Sequence, residues 1–169
     1  MRPSNGGRAT APTEPPNLAP VECSVTIEPE PEIVFPYLTD PSKIVSWMGA
    51  RATLSPEPGG IYRVELPVGF TARGEFVEVD PPHRVVFSWG WEHDDALVPP
   101  GASTVEVELE PVADGTRVLL RHHKLGGESA EQHTVGWIHY LERLRVAAGG
   151  GVPGPDEGPV VSEDRGQRP

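Results

Sequence analysis

From Arg51 to Lys124 nearly every segment of this sequence alternates apolar and polar residues, and only one long amphipathic helix follows. That imbalance constrains the fold more than any other feature, because the sheet's apolar face has a single large partner to bury against. The alternation is plainest at Val105, Val107 and Leu109, which interleave with Glu106, Glu108 and Glu110 as a half-buried strand requires. Ala113-Asp114-Gly115 makes a hairpin turn into Thr116–Lys124, where Val118 and Leu120 share a face. Upstream, Pro58-Gly59-Gly60 leads into Ile61–Leu66, and a break at Pro67–Gly69 precedes Phe70–Val79. Asp80-Pro81-Pro82 then turns the chain into Val85–Trp91, with Phe87, Trp89 and Trp91 to one side. Turns this short favour an antiparallel meander.

The closing helix is signalled by Ser129-Ala130-Glu131-Gln132, which matches a capping box, and by Trp137, Ile138, Leu141, Leu144 and Ala148 at helical spacing. Glu142, Arg143 and His133 fall to its other side. Ahead of the strand run, Val21, Cys23, Val25 and Ile27 alternate as a further strand. Two short helices are expected next. Glu30–Leu38 carries Pro36, which should kink or shorten it. The second is capped by Asp40, opened by Pro41, and carries Ile44, Trp47 and Met48 before Gly49 ends it. The class is therefore α+β. One helix cannot cover the concave face of a six- or seven-stranded twisted sheet, so a space of the ~300–1,000 Å³ typical of ligand sites is expected between them.

The chain has 169 residues, and 14 Lys+Arg against 25 Asp+Glu leave a formal charge of −11. Phosphate binding needs a basic face, so nucleic acid is disfavoured, as is attraction to an anionic membrane. No apolar run approaches the ~20 residues that span a bilayer, and Met1–Thr10 lacks the apolar stretch of a secretory signal. A cytoplasmic protein is expected. Many of the 21 prolines and 19 glycines crowd the two ends. Residues 1–19 and 149–169 accordingly read as disordered tails around one folded domain over 20–148.

Chemistry-bearing patterns are sparse. Cys23 is the single cysteine, which rules out an intrachain disulfide and reads as an inert strand thiol. His122 shares strand parity with Val118 and Leu120, so it points inward, where a neutral imidazole could polarise a carbonyl or shuttle a proton. A core histidine with one backbone hydrogen bond is the plainer reading. His123 points the other way, and His133 and His139 are six apart and off a common helix face. Arg63 and Arg73 sit out of phase with their apolar neighbours as surface groups. No convergent zinc ligands, phosphate loop or serine elbow occurs, so neither metal nor cofactor is expected.

The segments PEIVFPYLTDPSKIVSWMGA, PEPGGIYRVEL, GEFVEVDPPHRVVFSW, STVEVELEPVADGTRVLLRHHKL and HTVGWIHYLERL, in this order and at these separations, resemble an AHSA1-type domain over Val21 to Ala148. That family is named for the activator of the Hsp90 ATPase and lies within the START/Bet v 1-like (SRPBCC) superfamily. The resemblance implies a helix-grip fold: a curved antiparallel sheet wrapped around the C-terminal helix, with a hydrophobic cavity enclosed. Pro36 departs from the family's usual helix former.

Such a fold hosts many activities. The leading expectation is a module that binds a small hydrophobic or amphipathic molecule, lipid- or polyketide-like, without established catalysis. Its lining is expected from Trp47, Tyr62, Phe70, Phe76, Phe87, Trp89, Trp91, His122, Trp137 and Leu141, although Val77 and Val79 compete with Phe76 for the inward face. The loop Glu92–Pro100 reads as a hairpin tip rather than a gate. Two alternatives come from other classes. One is an Hsp90-type chaperone activator, weakened because residues 1–19 are too short for that protein's additional N-terminal domain. The other is a cyclase- or hydrolase-like enzyme using the same cavity. A homodimer through a sheet edge is left undecided.

Overall fold

In the computed structural model, which describes residues 19–67 and 69–159, the meander is a seven-stranded antiparallel sheet. Its strands are β1 (Val21–Ile27), β2 (Arg51–Leu54), β3 (Ile61–Glu65), β4 (Thr71–Asp80), β5 (Arg84–Trp89), β6 (Ser103–Val112) and β7 (Gly115–His123). The spatial order is β1-β7-β6-β5-β4-β3-β2. Each strand from β2 to β7 thus lies beside its neighbour in sequence, and only β1 is brought in from a distance. The helix-grip architecture is the one expected.

Alternation sets the two faces. Val105 lies opposite His122, Val107 opposite Leu120 and Leu109 opposite Val118, and all six side chains are buried. Phe76 wins the contest on β4: it is buried while Val77 is exposed. A register shift between Phe76 and Glu78 resets the parity there.

The opposite, convex face holds the glutamate stripe in an ion-pair lattice. Arg84 reaches Glu106, Glu108 (2.9 Å) and Glu78 (3.1 Å), while Arg121 reaches Glu22 (2.8 Å) and Glu108 (3.4 Å). His123 Nε2 lies 2.8 Å from a Glu106 oxygen. Burial raises the Glu106 carboxyl's proton affinity, but hydrogen bonds from His123 and Arg84 outweigh it and hold the pKa below the ordinary 4.5. The stability this group contributes is present above the unfolded-state pKa and is lost as pH falls through the folded value. Glu106→Gln should therefore lower the unfolding free energy by about 1 kcal/mol near neutral pH. It should also flatten the decline seen in urea titrations on acidifying below about pH 4.5.

The helical segments need two corrections. Pro36 does not bend the first short helix but divides it, giving α1 (Pro31–Val34) and α2 (Pro36–Thr39) before α3 (Pro41–Ile44). A proline has no N–H to continue the first ladder, yet its fixed φ suits the first position of a new turn. Asp40 caps α3 as expected, accepting from the Ser42 N–H at 2.9 Å. The long helix α4 (Gly127–Ala148) starts two residues before the expected capping box. Gly126 is its N-cap, Ser129 is buried in the first turn, and Gln132 bonds Glu128 instead (3.3 Å).

The buried face of α4 is also rotated from expectation. Ile138 is 60% exposed, whereas His133, assigned to the polar side, is 7% exposed. Spacing explains both: His133 lies four residues from Trp137 and falls on its face, while Ile138 is a single residue, about 100°, away.

After α4, residues 151–159 have no regular secondary structure, as expected of a tail, but they do not lie apart from the domain. Asp156 Oδ1 accepts from His139 Nε2 (3.0 Å) and from the Gly158 N–H (2.9 Å). The tail expectations for residues 1–18 and 160–169 fall outside the described residues. No helix among the described residues is long and apolar enough to cross a membrane.

Candidate functional site

The middle of the bowl is filled by its own aromatics. Tyr62 stacks on Phe87 with centroids 4.0 Å apart, and Phe76 meets Tyr62 edge-on at 5.6 Å. Trp47 and Leu141 close over them from α3's end and from α4. The void left there is about 10 Å³, room for one water at most. Burial drives the Tyr62 phenol's pKa far upward, so it stays neutral. Arg143 Nε donates to the Trp47 carbonyl (2.9 Å) and Trp47 Nε1 to the Tyr37 carbonyl (2.9 Å), which ties the short helices to α4.

Space opens at one end of the sandwich. Beyond Trp89 a cavity of about 400 Å³ lies between the ends of the central strands and the first half of α4. Trp89 and Trp91 meet at 5.4 Å and 78°, and Trp137 lies 5.2 Å from Trp89. Met48, Leu66 and Phe70 continue the apolar wall, and Ser129, Gln132, His133, Gly136 and Tyr140 face it from the helix. Leu97, 76% exposed, stands at the rim.

The loop after β5 is one wall of this cavity, contrary to its reading as a hairpin tip. His93, Asp95, Leu97 and Val98 all line it. The chain turns back tightly because Trp91 N–H donates to the Val98 carbonyl (2.7 Å). A Cβ at Gly90 would sit 1.9 Å from the Pro99 oxygen, so only glycine permits that approach. Arg63, expected as a plain surface group, pins the loop's start through Glu92 (2.7 Å).

Two buried histidines form a polar seam, His122 behind the aromatics and His133 at the cavity wall, their rings 4.8 Å apart. Trp137 Nε1 donates to His122 Nδ1 (2.9 Å), which leaves the proton on Nε2 to donate to Ser103 Oγ (2.9 Å). The Ser103 hydroxyl in turn donates a hydrogen bond to the Trp89 carbonyl (2.9 Å). His133 Nδ1 must donate to the Ser129 carbonyl (2.8 Å), so its Nε2 carries the lone pair and accepts a long, 3.3 Å bond from Trp89 Nε1. Burial, helped by the neighbouring His133 and His123, pushes the His122 pKa down to about 2. Burial lowers His133 likewise, with its backbone hydrogen bond working against the shift.

Of the residues expected to line a cavity, Phe70, Trp89, Trp91 and Trp137 do so. Tyr62, Phe87, Trp47 and Leu141 pack the closed centre, where stacking leaves no room for a guest, and Phe76 fills the core beside them. His122 is also set back, both its nitrogens bonded within the seam. His133 and Tyr140 were not anticipated, though four- and three-residue steps from Trp137 would have found them. Among the described residues no cluster of three metal-ligating side chains occurs.

Pro159, at the end of the described chain, lies at the cavity wall and is brought there by the Asp156 anchor. Burial raises the Asp156 pKa, yet the His139 and Gly158 hydrogen bonds and the Tyr140 hydroxyl beside it hold the carboxyl below its usual range. Asp156→Ala should release this strap alone. Amide exchange at Gly158 is expected to quicken at least about tenfold while protection in β6 and β7 is unchanged.

The family model for Activator of Hsp90 ATPase homolog 1-like protein (AHSA1) matches residues 29–149. No curated protein matches the chain. Among solved structures it is similar to an AHSA1-like protein from Rhizobium etli, at 40% identity and TM-score 0.65, over 88% of this chain and 89% of that one. It is similar to an HSP90 activator from Plasmodium falciparum at 25% identity and TM-score 0.62, over 78% of this chain and 96% of that one. DynU16, from the dynemicin biosynthetic locus, shares the fold at 23% identity and TM-score 0.69, over 80% of this chain and 49% of its own. With seven strands gripping one helix and a family match across most of the folded part, the chain belongs to the AHSA1-like family.

Proposed function

We propose that this protein binds a small, predominantly apolar molecule, lipid- or polyketide-like in size and character, in the cavity beside Trp89, Trp91 and Trp137. The observation that carries this reading is a void of about 400 Å³ walled by indole and aliphatic side chains in an otherwise closed core. Three rigid aromatic faces offer large contact area at little entropic cost. Catalysis is not part of the reading: His122 has both nitrogens committed and lies behind the wall, and His133, at the wall, has its ring proton fixed on the Ser129 carbonyl.

Organic extraction of purified protein followed by mass spectrometry tests for a carried guest. A thermal-shift panel of neutral lipids and polyketides tests it independently. A binder at about 100 times its Kd adds about 2.7 kcal/mol to stability, a rise of several degrees in Tm. A panel without any shift, together with an empty extract, would refute the reading. The likeness to the Plasmodium HSP90 activator supports a second reading, stimulation of a chaperone ATPase. It predicts faster ATP turnover when the protein is added to Hsp90, and unchanged turnover would exclude it.

A further inference from the structure

We infer that the cavity selects a neutral guest carrying a hydroxyl group, which displaces the 3.3 Å contact between Trp89 Nε1 and His133 Nε2 and bonds to both in its place. The inference rests on the proposed binding function and adds the chemistry of recognition. A backbone carbonyl can only accept, so the 2.8 Å contact from His133 Nδ1 to the Ser129 oxygen places the ring proton on Nδ1. His133 therefore presents an acceptor lone pair at Nε2, on a side chain that lines the cavity. Its one partner there is the Trp89 N–H at 3.3 Å, a longer bond than the 2.9 Å that Trp137 makes to His122 in the same seam.

One acceptor and one donor side by side on an apolar wall define the complement. A hydroxyl satisfies both, giving its proton to His133 Nε2 and taking the Trp89 proton on its oxygen. An ether can only accept, so it either leaves the long Trp89–His133 bond in place or takes the Trp89 proton and gives nothing to His133. A carboxylate also only accepts, and it meets no compensating charge: no Lys or Arg is among the described lining residues, while Asp95 is. Burying an unpaired anion against an acidic residue is unfavourable, and the chain's charge of −11 adds to it. Fatty-acid-type guests are thereby disfavoured, which narrows the lipid-like class.

Three bicyclic probes of one shape separate the possibilities by calorimetry near neutral pH: 2-naphthol, 2-methoxynaphthalene and 2-naphthoate. The expected order is 2-naphthol about tenfold tighter than the ether, one hydrogen bond's worth, and the carboxylate weakest. His133→Phe should bring 2-naphthol and the ether to the same affinity. Should that variant fail to fold, the His133 Nε2 nitrogen resonance of the unmodified protein gives the same answer. It should move in the hydrogen-bonded direction with 2-naphthol and stay put with the ether. Equal affinity for 2-naphthol and the ether, a still Nε2 resonance, or tightest binding of 2-naphthoate overturns the inference and leaves the cavity reading standing. No binding of any probe, alongside a silent lipid and polyketide panel and an empty extract, overturns both.

Discussion

Gly136→Leu is expected to raise the melting temperature and at the same time abolish ligand binding. Gly136 lies in the interior of α4 on the cavity wall, and a Cβ built there meets nothing within 4 Å. Replacing a mid-helix glycine removes its backbone-entropy penalty, about 0.8–1 kcal/mol. The leucine side chain then projects into the void and buries itself against Trp91 and Phe70, where a guest would otherwise sit. Together these should lift Tm by roughly 4 °C or more. Occupying the same volume should weaken 2-naphthol by at least a hundredfold, with Gly136→Ala showing the stability gain and only a small loss of affinity. Stabilising changes at binding sites often cost function, so the control is Gly136→Ala: loss of affinity confined to the leucine variant reports that its side chain fills the guest's space. A stabilised Gly136→Leu that still binds normally would move the guest elsewhere. A destabilised one would mean that the space beside Gly136 is already filled.

The contrast between Gly136 and Tyr62 shows which part of the site could be read from residue order. Strand parity turned Tyr62, Phe87 and Trp89 inward, and all three are buried; at Phe76 it left Val77 and Val79 in contention, because the register shifts there. Parity says nothing about position along the bowl. Whether an inward aromatic packs or lines depends on what stands opposite, and that is set by where α4 crosses the sheet. Opposite Tyr62 and Phe87 stand Trp47 and Leu141, bulky enough to close the gap. Opposite Trp91 stand His133 and Gly136, which leave it open. A lone helix did fail to plug a wide sheet, but the failure is confined to the end where the helix carries small and polar residues.

Polar residues on an apolar face are what pattern reading tends to miss. His133 occupies the same stripe as Trp137 and Leu144, yet its polarity assigned it to solvent until its partners, Ser129 and Trp89, could be seen. The strap has the same origin. Gly-Pro-Asp-Glu-Gly reads as tail by composition, and a single carboxylate, Asp156, buried against His139, is enough to fix it. The fold itself was legible almost throughout because it depends on alternation and turns, which are local. The cavity wall was not, because it is made where the loop after β5, α4 and the C-terminal strap converge from distant parts of the chain.

His122→Ala is expected to be the most damaging single substitution in the polar seam. The imidazole is fully buried and is the acceptor for the Trp137 N–H and the donor to Ser103. Its removal leaves a cavity and strands an indole N–H away from water, together about 3–5 kcal/mol, a large part of a domain's total stability. His122→Phe keeps the volume and loses only the polar contacts, so about 1–3 kcal/mol is expected. The phenylalanine variant also carries a pH signature. His122 is held neutral with its pKa near 2, against 6.5 when unfolded, so between these values the unfolded chain binds the extra proton. Its contribution is complete above about pH 6.5 and declines as pH falls, by up to about 1.4 kcal/mol per unit. Urea titrations of the unmodified protein should show that decline beginning well above the carboxylate range, and His122→Phe should lose much of it between about pH 6.5 and 5, the remainder belonging to His133. If the two proteins instead lose stability in parallel across that interval, His122 is not held neutral between Trp137 and Ser103.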